Sequence, residues 1–231
     1  MRKTINGDGT YDIILSKIKK LVKLRGNKSY YIRGTFTADN IDFSNDVIAL
    51  ADEGFKEISI EPVVASPDMR YALKEEHLDK IMMEYETLAQ KIMEYKNTNK
   101  DFTFYHYTID LDGGPCIYKK VTSCGAGYEY FAVTPDGDLY PCHQFVGREE
   151  YIMGNVTKGI ENGELQERFS QNSIYHKEKC GECWAKFFCS GGCQANAVTF
   201  NGDIRKPYDL ECKMQRKRIE CAIMLYAYYS L

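Results

Sequence analysis

The sequence predicts an α/β chain in two parts: parallel βα units up to about residue 115, then a small cysteine-rich α+β domain. Three observations predict it. Strand and helix signals alternate through the first 115 residues. All nine cysteines fall after that point, at 116, 124, 142, 180, 183, 189, 193, 212 and 221. Beyond Gly113-Gly114-Pro115, short apolar runs broken by turn residues replace the long periodic ones. The expected units are therefore 1–115 and 116–231.

In chain order, residues 11–24 (YDIILSKIKKLVKL) carry apolar side chains at 14, 15, 18, 21 and 22, a helical stripe. YYIRGTFT (30–37) reads as a strand. Ser44 or Asn45 is the expected cap of a helix through DVIALADEG, which Gly54 ends. KEISIEPVV (56–64) reads as a second strand, stopped near Pro67. A long helix follows at about 74–96, with apolar positions 78, 81, 82, 85, 88, 92 and 93 on one face. FTFYHYTID (102–110) reads as a third strand. Next, YFAVTPDGDLYPC (130–142) gives a hairpin around Pro135-Asp136-Gly137-Asp138. Residues 156–169 read as a short helix and 209–228 as the last one. In that last helix, Ile219, Ala222, Ile223 and Tyr226 are expected to face inward, opposite Lys213, Arg216, Lys217 and Glu220.

Composition narrows the function. A net charge of −3 does not suggest a nucleic-acid partner. No run approaches the ~18 apolar residues of a membrane helix, and the start has no uninterrupted apolar stretch of a signal peptide. The expectation is a soluble, cytoplasmic chain with no membrane partner. A disulfide scaffold needs an oxidising compartment, and scattered structural thiols would not cluster. Metal or cluster ligation suits CGECWAKFFCSGGC (180–193), because thiolates at C-x2-C spacing converge on one centre. Zinc sites of four cysteines are the rival.

The full pattern is Cys124-x12-Gly137-x4-Cys142, a gap of 37, then Cys180-x2-Cys183-x5-Cys189-x3-Cys193-x18-Cys212. It resembles the SPASM domain found at the C-terminus of many radical S-adenosylmethionine (SAM) enzymes. KSYYIRGTFT, ISIEPVVASP, CGAGYEYFAVTPDGDLYPCHQFVG and CWAKFFCSGGC further resemble the maturases that install thioether cross-links in the short Cys-rich peptide called SCIFF. The resemblance implies the C-terminal part of a partial (β/α) radical SAM barrel, followed by a small α+β SPASM iron–sulfur domain. It implies two auxiliary [4Fe–4S] clusters and a short Cys-rich precursor peptide as partner. Cys180, Cys183, Cys189 and Cys212 would hold the outer cluster, and Cys124, Cys142 and Cys193 the inner one. Either Cys116 or the substrate cysteine would fill the inner cluster's fourth site. Gly191-Gly192 would let the backbone turn between the two sets. Trp184, Phe187 and Phe188 are expected to shield the outer cluster. Cys221 reads as a buried thiol on a helix face.

Arg33 lies in the first strand and Glu61 ends the second, where parallel sheets bind ligands. They are candidates for S-adenosylmethionine or substrate, or else an interior ion pair. His143 follows Cys142 and is a candidate catalytic base, cluster neighbour or plain hydrogen-bonding residue; related sulfatase-maturing enzymes have a catalytic Asp at this place. His77, His106 and His176 read as structural or solvated. No cysteine precedes Cys116, so the Cys-x3-Cys-x2-Cys core motif is absent. Three strands are expected, not six. The resemblance thus implies a chain truncated at its N-terminus and inactive alone, with S-adenosylmethionine used only in the complete enzyme and a missing N-terminal radical SAM half as a partner. The alternatives are a non-catalytic iron–sulfur peptide-binding or electron-transfer module, and a zinc-binding structural protein.

Overall fold

Period-2 alternation builds a parallel sheet from three stretches in the first half of the chain. A computed structural model describes residues 3–26, 28–111, 113 and 121–230. Strands β1 (Ile32–Phe36), β2 (Glu57–Pro62) and β3 (Thr103–Phe104) lie in the order β1-β2-β3. The register sets Arg33 beside Ser59 and Thr35 beside Glu61. Alternation sends Ile58 and Ile60 to one face and Ser59 and Glu61 to the other.

Helices α1 (Tyr11–Arg25), α2 (Phe43–Asp52) and α3 (Leu78–Tyr95) belong to this first part. Phe36, Ile58, Phe43, Val47, Ile81 and Tyr85 form one core. Phe36 stacks on Phe43 at 4.4 Å between ring centroids, and Phe43 meets Tyr85 at 4.8 Å. α1 only leans on this core through Leu15, Ile18 and Val22. Gly54, at φ +92°, ends α2 as expected. The cap differs: Asp42 precedes the first turn, while Ser44 is buried and donates to Glu84 on α3 (2.5 Å).

The second part is an antiparallel sheet of β4 (Ala132–Val133), β5 (Asp138–Tyr140), β6 (Gly154–Asn155) and β7 (Gly159–Ile160). The predicted hairpin joins β4 to β5. After it come α4 (Gly163–Ser170), the single turn α5 (Lys186–Cys189), α6 (Gln194–Asn201) and α7 (Asp209–Ser230). Leu139, Cys142, Phe145, Met153, Phe169 and Ile204 form a second core.

Three elements depart from the sequence reading. The strand expected at 102–110 keeps only two residues in the ladder, then turns so that Tyr107 donates its hydroxyl to the Tyr85 carbonyl (2.7 Å). The helix expected at 156–169 begins only at Gly163, where the Asn162 side chain caps the Leu165 N–H (3.0 Å). Before it the chain makes the β6–β7 hairpin, with Gly159 at φ +80°. The inward face of α7 is also rotated. Leu210, Met214, Arg218, Ile219, Cys221, Ala222 and Leu225 are buried, while Ile223 and Tyr226 are exposed. A buried arginine inside the stripe hides its period. α7 packs back on the first core through Leu210, Met214, Cys221, Ala222 and Leu225. Among the described residues, no helix is long and apolar enough to cross a membrane.

Phe43→Ala removes a fully buried ring and should cost about 3–5 kcal/mol. Tyr228→Ala, at an exposed ring on α7, should stay within about 0.5 kcal/mol. Denaturant melts of both variants check this; similar losses would contradict the packing described.

Candidate functional site

Four of the cysteines meet around one small cavity. Cys180 and Cys183 lie on consecutive turns, where the Cys183 N–H donates to the Cys180 carbonyl (3.1 Å). Cys189 ends α5, and Cys212 lies in the first turn of α7. All four line a cavity of about 60 Å³. Burial raises the Cys180 thiol; burial and then Glu211 push Cys189 up to about 11; burial and then Cys189 push Cys212 up to about 12.

A second set lies next to it. Cys142 and Cys193 are each within electrostatic reach of Cys124, and all three of the Tyr130 phenol. The Tyr130 hydroxyl approaches Cys124 Sγ at 3.7 Å. Burial, then Glu211, pushes Cys193 up to about 11, and burial raises Cys142. Cys189 and Cys193 belong to different sets although only three residues separate them. The backbone manages this by three successive left-handed residues: Ser190 (φ +58°), Gly191 (+90°) and Gly192 (+69°). Glycine holds such angles without steric cost. Ser123 Oγ donates to the Gly192 carbonyl (3.0 Å), pinning the Cys124 segment to that turn. Cys116 lies outside the described residues.

The first donor set has the four thiols that a cluster takes. Among the described residues, no three His, Cys, Asp or Glu side chains converge on one metal-ion position. A lone zinc draws its thiolates to about 2.3 Å from one point, whereas a cluster carries its own body of iron and sulfide between them. Four thiols around a cavity fit the larger group.

A cavity of about 680 Å³ separates the sheet from the second set. Its lining includes Arg33, Glu61, His143, Cys193, Glu211 and Arg218. The first three are thus brought to the same space as one of the predicted ligands. Arg33 is 70% exposed along its side chain, with Nη2 3.7 Å from Glu61 Oε1. His106 Nε2 lies 3.1 Å from the same oxygen. Burial pushes the Glu61 carboxyl up, but His106, Arg218 and Arg33 outweigh it and hold it below its ordinary value. Burial, then Arg218, holds the His106 imidazole below its ordinary value against the pull of Glu61. His143 is exposed, on the turn His143–Phe145.

Three buried charged residues around the site were not legible in the sequence. Glu211 accepts from the Cys193 N–H (3.1 Å) and from Asn196 Nδ2 (2.8 Å). Burial raises its carboxyl. Arg218 is buried, donates from Nε to the Tyr85 hydroxyl (2.8 Å) and lies over that ring. Lys177 is buried beneath Gly191. The only sequence signal was that Glu211 precedes Cys212 and Lys177 stands three before Cys180. Cys221 is buried in the first core, and burial pushes its thiol up to about 11. Of the three aromatic residues expected to shield the outer cluster, Phe187 is half-buried, while Trp184 is 51% exposed and Phe188 37%. None of the three lines the small cavity.

The raised thiols set a pH dependence. In the metal-free chain, Cys189, Cys193 and Cys212 hold their protons to about 11–12, whereas an unfolded thiol loses its proton near about 8.5. Below that value both states are protonated and the difference vanishes. Above it the unfolded state binds fewer protons, so stability falls as pH rises. The melting temperature of metal-free protein should therefore drop between about pH 8.5 and 11. A flat profile over that window would contradict the burial of these thiols.

Comparison with known proteins follows the same lines. A family model described as an iron–sulfur cluster-binding domain, SPASM, matches residues 124–184. An uncharacterized protein of Archaeoglobus fulgidus is 29% identical over 102 residues, which is 42% of this chain and 24% of that protein. Mycofactocin maturase MftC of Mycobacterium tuberculosis is 31% identical over 96 residues, 38% of this chain and 23% of MftC. The aligned stretches span about a quarter of these curated relatives. Among solved structures, anSMEcpe with bound AdoMet and Kp18Cys peptide superposes with a TM-score of 0.70 at 18% identity. That match covers 98% of this chain and 64% of anSMEcpe. A polyhistidine-tagged form of anSMEcpe with bound AdoMet gives the same TM-score over 61% of its length. Residues 124–184 thus match a SPASM iron–sulfur cluster-binding domain, in a chain that shares the fold of anSMEcpe.

Proposed function

We propose that this chain supplies the peptide-holding and auxiliary-cluster part of a radical SAM peptide maturase, which forms Cys thioether (C–S) cross-links in a short Cys-rich peptide. The observation that carries this reading is the 680 Å³ cavity, which joins Arg33, Glu61 and His143 to Cys193. Residues 1–115 then act as later βα units of a partial barrel and 116–231 as the cluster domain, with α7 reaching back to the barrel. Cys180, Cys183, Cys189 and Cys212 hold one [4Fe–4S] cluster. Cys124, Cys142 and Cys193 hold the other, with Cys116 or the substrate cysteine at the fourth iron.

Bound clusters would supply Lewis-acidic iron and electron storage. The chain's own residues do the rest. Arg33, exposed at its guanidinium, offers two parallel N–H donors to a carboxylate of the peptide or of S-adenosylmethionine. Glu61, held ionised by its cationic neighbours, accepts from an ammonium or amide N–H. His143, on the cavity lining, would take the proton of an incoming cysteine thiol. Val63, Leu73 and Met214 supply apolar wall that keeps water from the reacting sulfur. The peptide-bound anSMEcpe structure supports a site of this kind by its shared fold.

One observation favours a second reading, a non-catalytic iron–sulfur module for peptide binding or electron transfer: the 231 residues contain no Cys-x3-Cys-x2-Cys. Accordingly, this chain alone should form no 5′-deoxyadenosine from S-adenosylmethionine under dithionite. Repeated turnover, read by chromatography, would sink the assignment of both cysteine sets to auxiliary clusters. Anaerobically reconstituted protein should contain about eight iron and about eight sulfide per chain. Zinc in place of iron and sulfide would refute the cluster reading. Cys183→Ala should lose about half of that iron and destabilise the cluster domain. Cys221→Ala should keep all of it, losing only packing. Equal iron loss in the two variants would show the ligand assignment to be wrong.

A further inference from the structure

Lys177 is a buried cation to which neither the fold nor the proposed reaction gives a task. Its residue is 5% exposed. The side chain passes beneath the glycine turn, where a Cβ on Gly191 would lie 2.9 Å from both Cδ and Nζ of Lys177. Its ammonium donates to the Gly191 carbonyl (2.7 Å). That turn carries the chain from Cys189 of one set to Cys193 of the other. The ammonium is within electrostatic reach of Cys180 and Cys189 in the first set, of Cys124 in the second, and of Glu211.

Burying an ammonium is unfavourable unless anionic groups replace the lost hydration. One carbonyl satisfies one of its three donors. Clusters held by thiolates bring anionic charge on both sides of this position. A nearby positive charge stabilises the added electron of a reduced cluster, and more strongly where water is excluded. We propose that Lys177 is a positioning residue, a counter-ion shared by the two clusters that raises the reduction potential of both. The inference rests on the reading that the two cysteine sets hold [4Fe–4S] clusters.

The test is an anaerobic redox titration followed by electron paramagnetic resonance, on reconstituted wild type, Lys177→Gln and Lys177→Arg. Gln keeps a donor for the Gly191 carbonyl and removes the charge; Arg keeps the charge. The expected result is full iron and sulfide in all three, with both cluster potentials shifted negative in Lys177→Gln and near wild type in Lys177→Arg. Failure of Lys177→Gln alone to load clusters, with Lys177→Arg loaded at wild-type potentials, also supports a requirement for charge. Unchanged potentials in Lys177→Gln, a shift in only one cluster, or failure of Lys177→Arg to restore the potentials or to load overturns the proposal. Absence of iron and sulfide from the wild type would instead overturn the cluster reading beneath it.

Discussion

The buried carboxylate of Glu211 ties the cysteine-rich part of this chain to the sheet. It accepts from the backbone of Cys193 and from Asn196, and it stands beside Cys212 at the start of α7. Seven residues further, two turns along the same helix face, Arg218 docks on Tyr85 of α3. α7 is therefore a strut with one end on the glycine turn and the other in the first core. Lys217 reinforces it through Glu86 (2.9 Å). The large cavity is the space this strut holds open. Without it, Arg33 and Glu61 on the sheet would have no reason to face Cys193.

The same burial that builds the site makes it costly without its cofactor. Several thiols are pushed to about 11–12 because burial, with Glu211 or a neighbouring thiol adding to it, outweighs the cations nearby. Ligation requires thiolates, so loading a cluster must release protons and is coupled to folding. Across the cavity the balance is reversed. Glu61 lies among Arg33, Arg218 and His106, and stays ionised despite burial. One wall thus presents fixed charges of both signs and the other presents buried sulfur. Such a space suits a ligand that is ionic at one end and softer at the other.

Legibility in the sequence followed how local the cause was. β1, β2, α1, α3 and the β4–β5 hairpin were readable because period, caps and turn residues lie within each segment. Spacing showed that the thiolates of residues 180–193 can converge on one centre, while the division into two sets came from the resemblance to the SPASM domain. β3 was overread, since its length is decided by Tyr107 reaching Tyr85, 22 residues away. The β6–β7 hairpin was missed because Asn162 delays the helix and the pairing partners carry little apolar signal.

By itself the sequence determined an α/β first part, a cysteine-rich second part and a cysteine spacing suited to metal or cluster ligation. Each of these is written in residue type and spacing over a few turns of chain. Only the tertiary structure decided that α7 belongs with the first core, that Glu211, Arg218 and Lys177 are buried, and that Arg33, Glu61 and His143 share a cavity with Cys193. A buried charge is invisible in a sequence. Its burial is tolerable only when partners tens to more than a hundred residues away arrive to satisfy it, as Tyr85 does for Arg218.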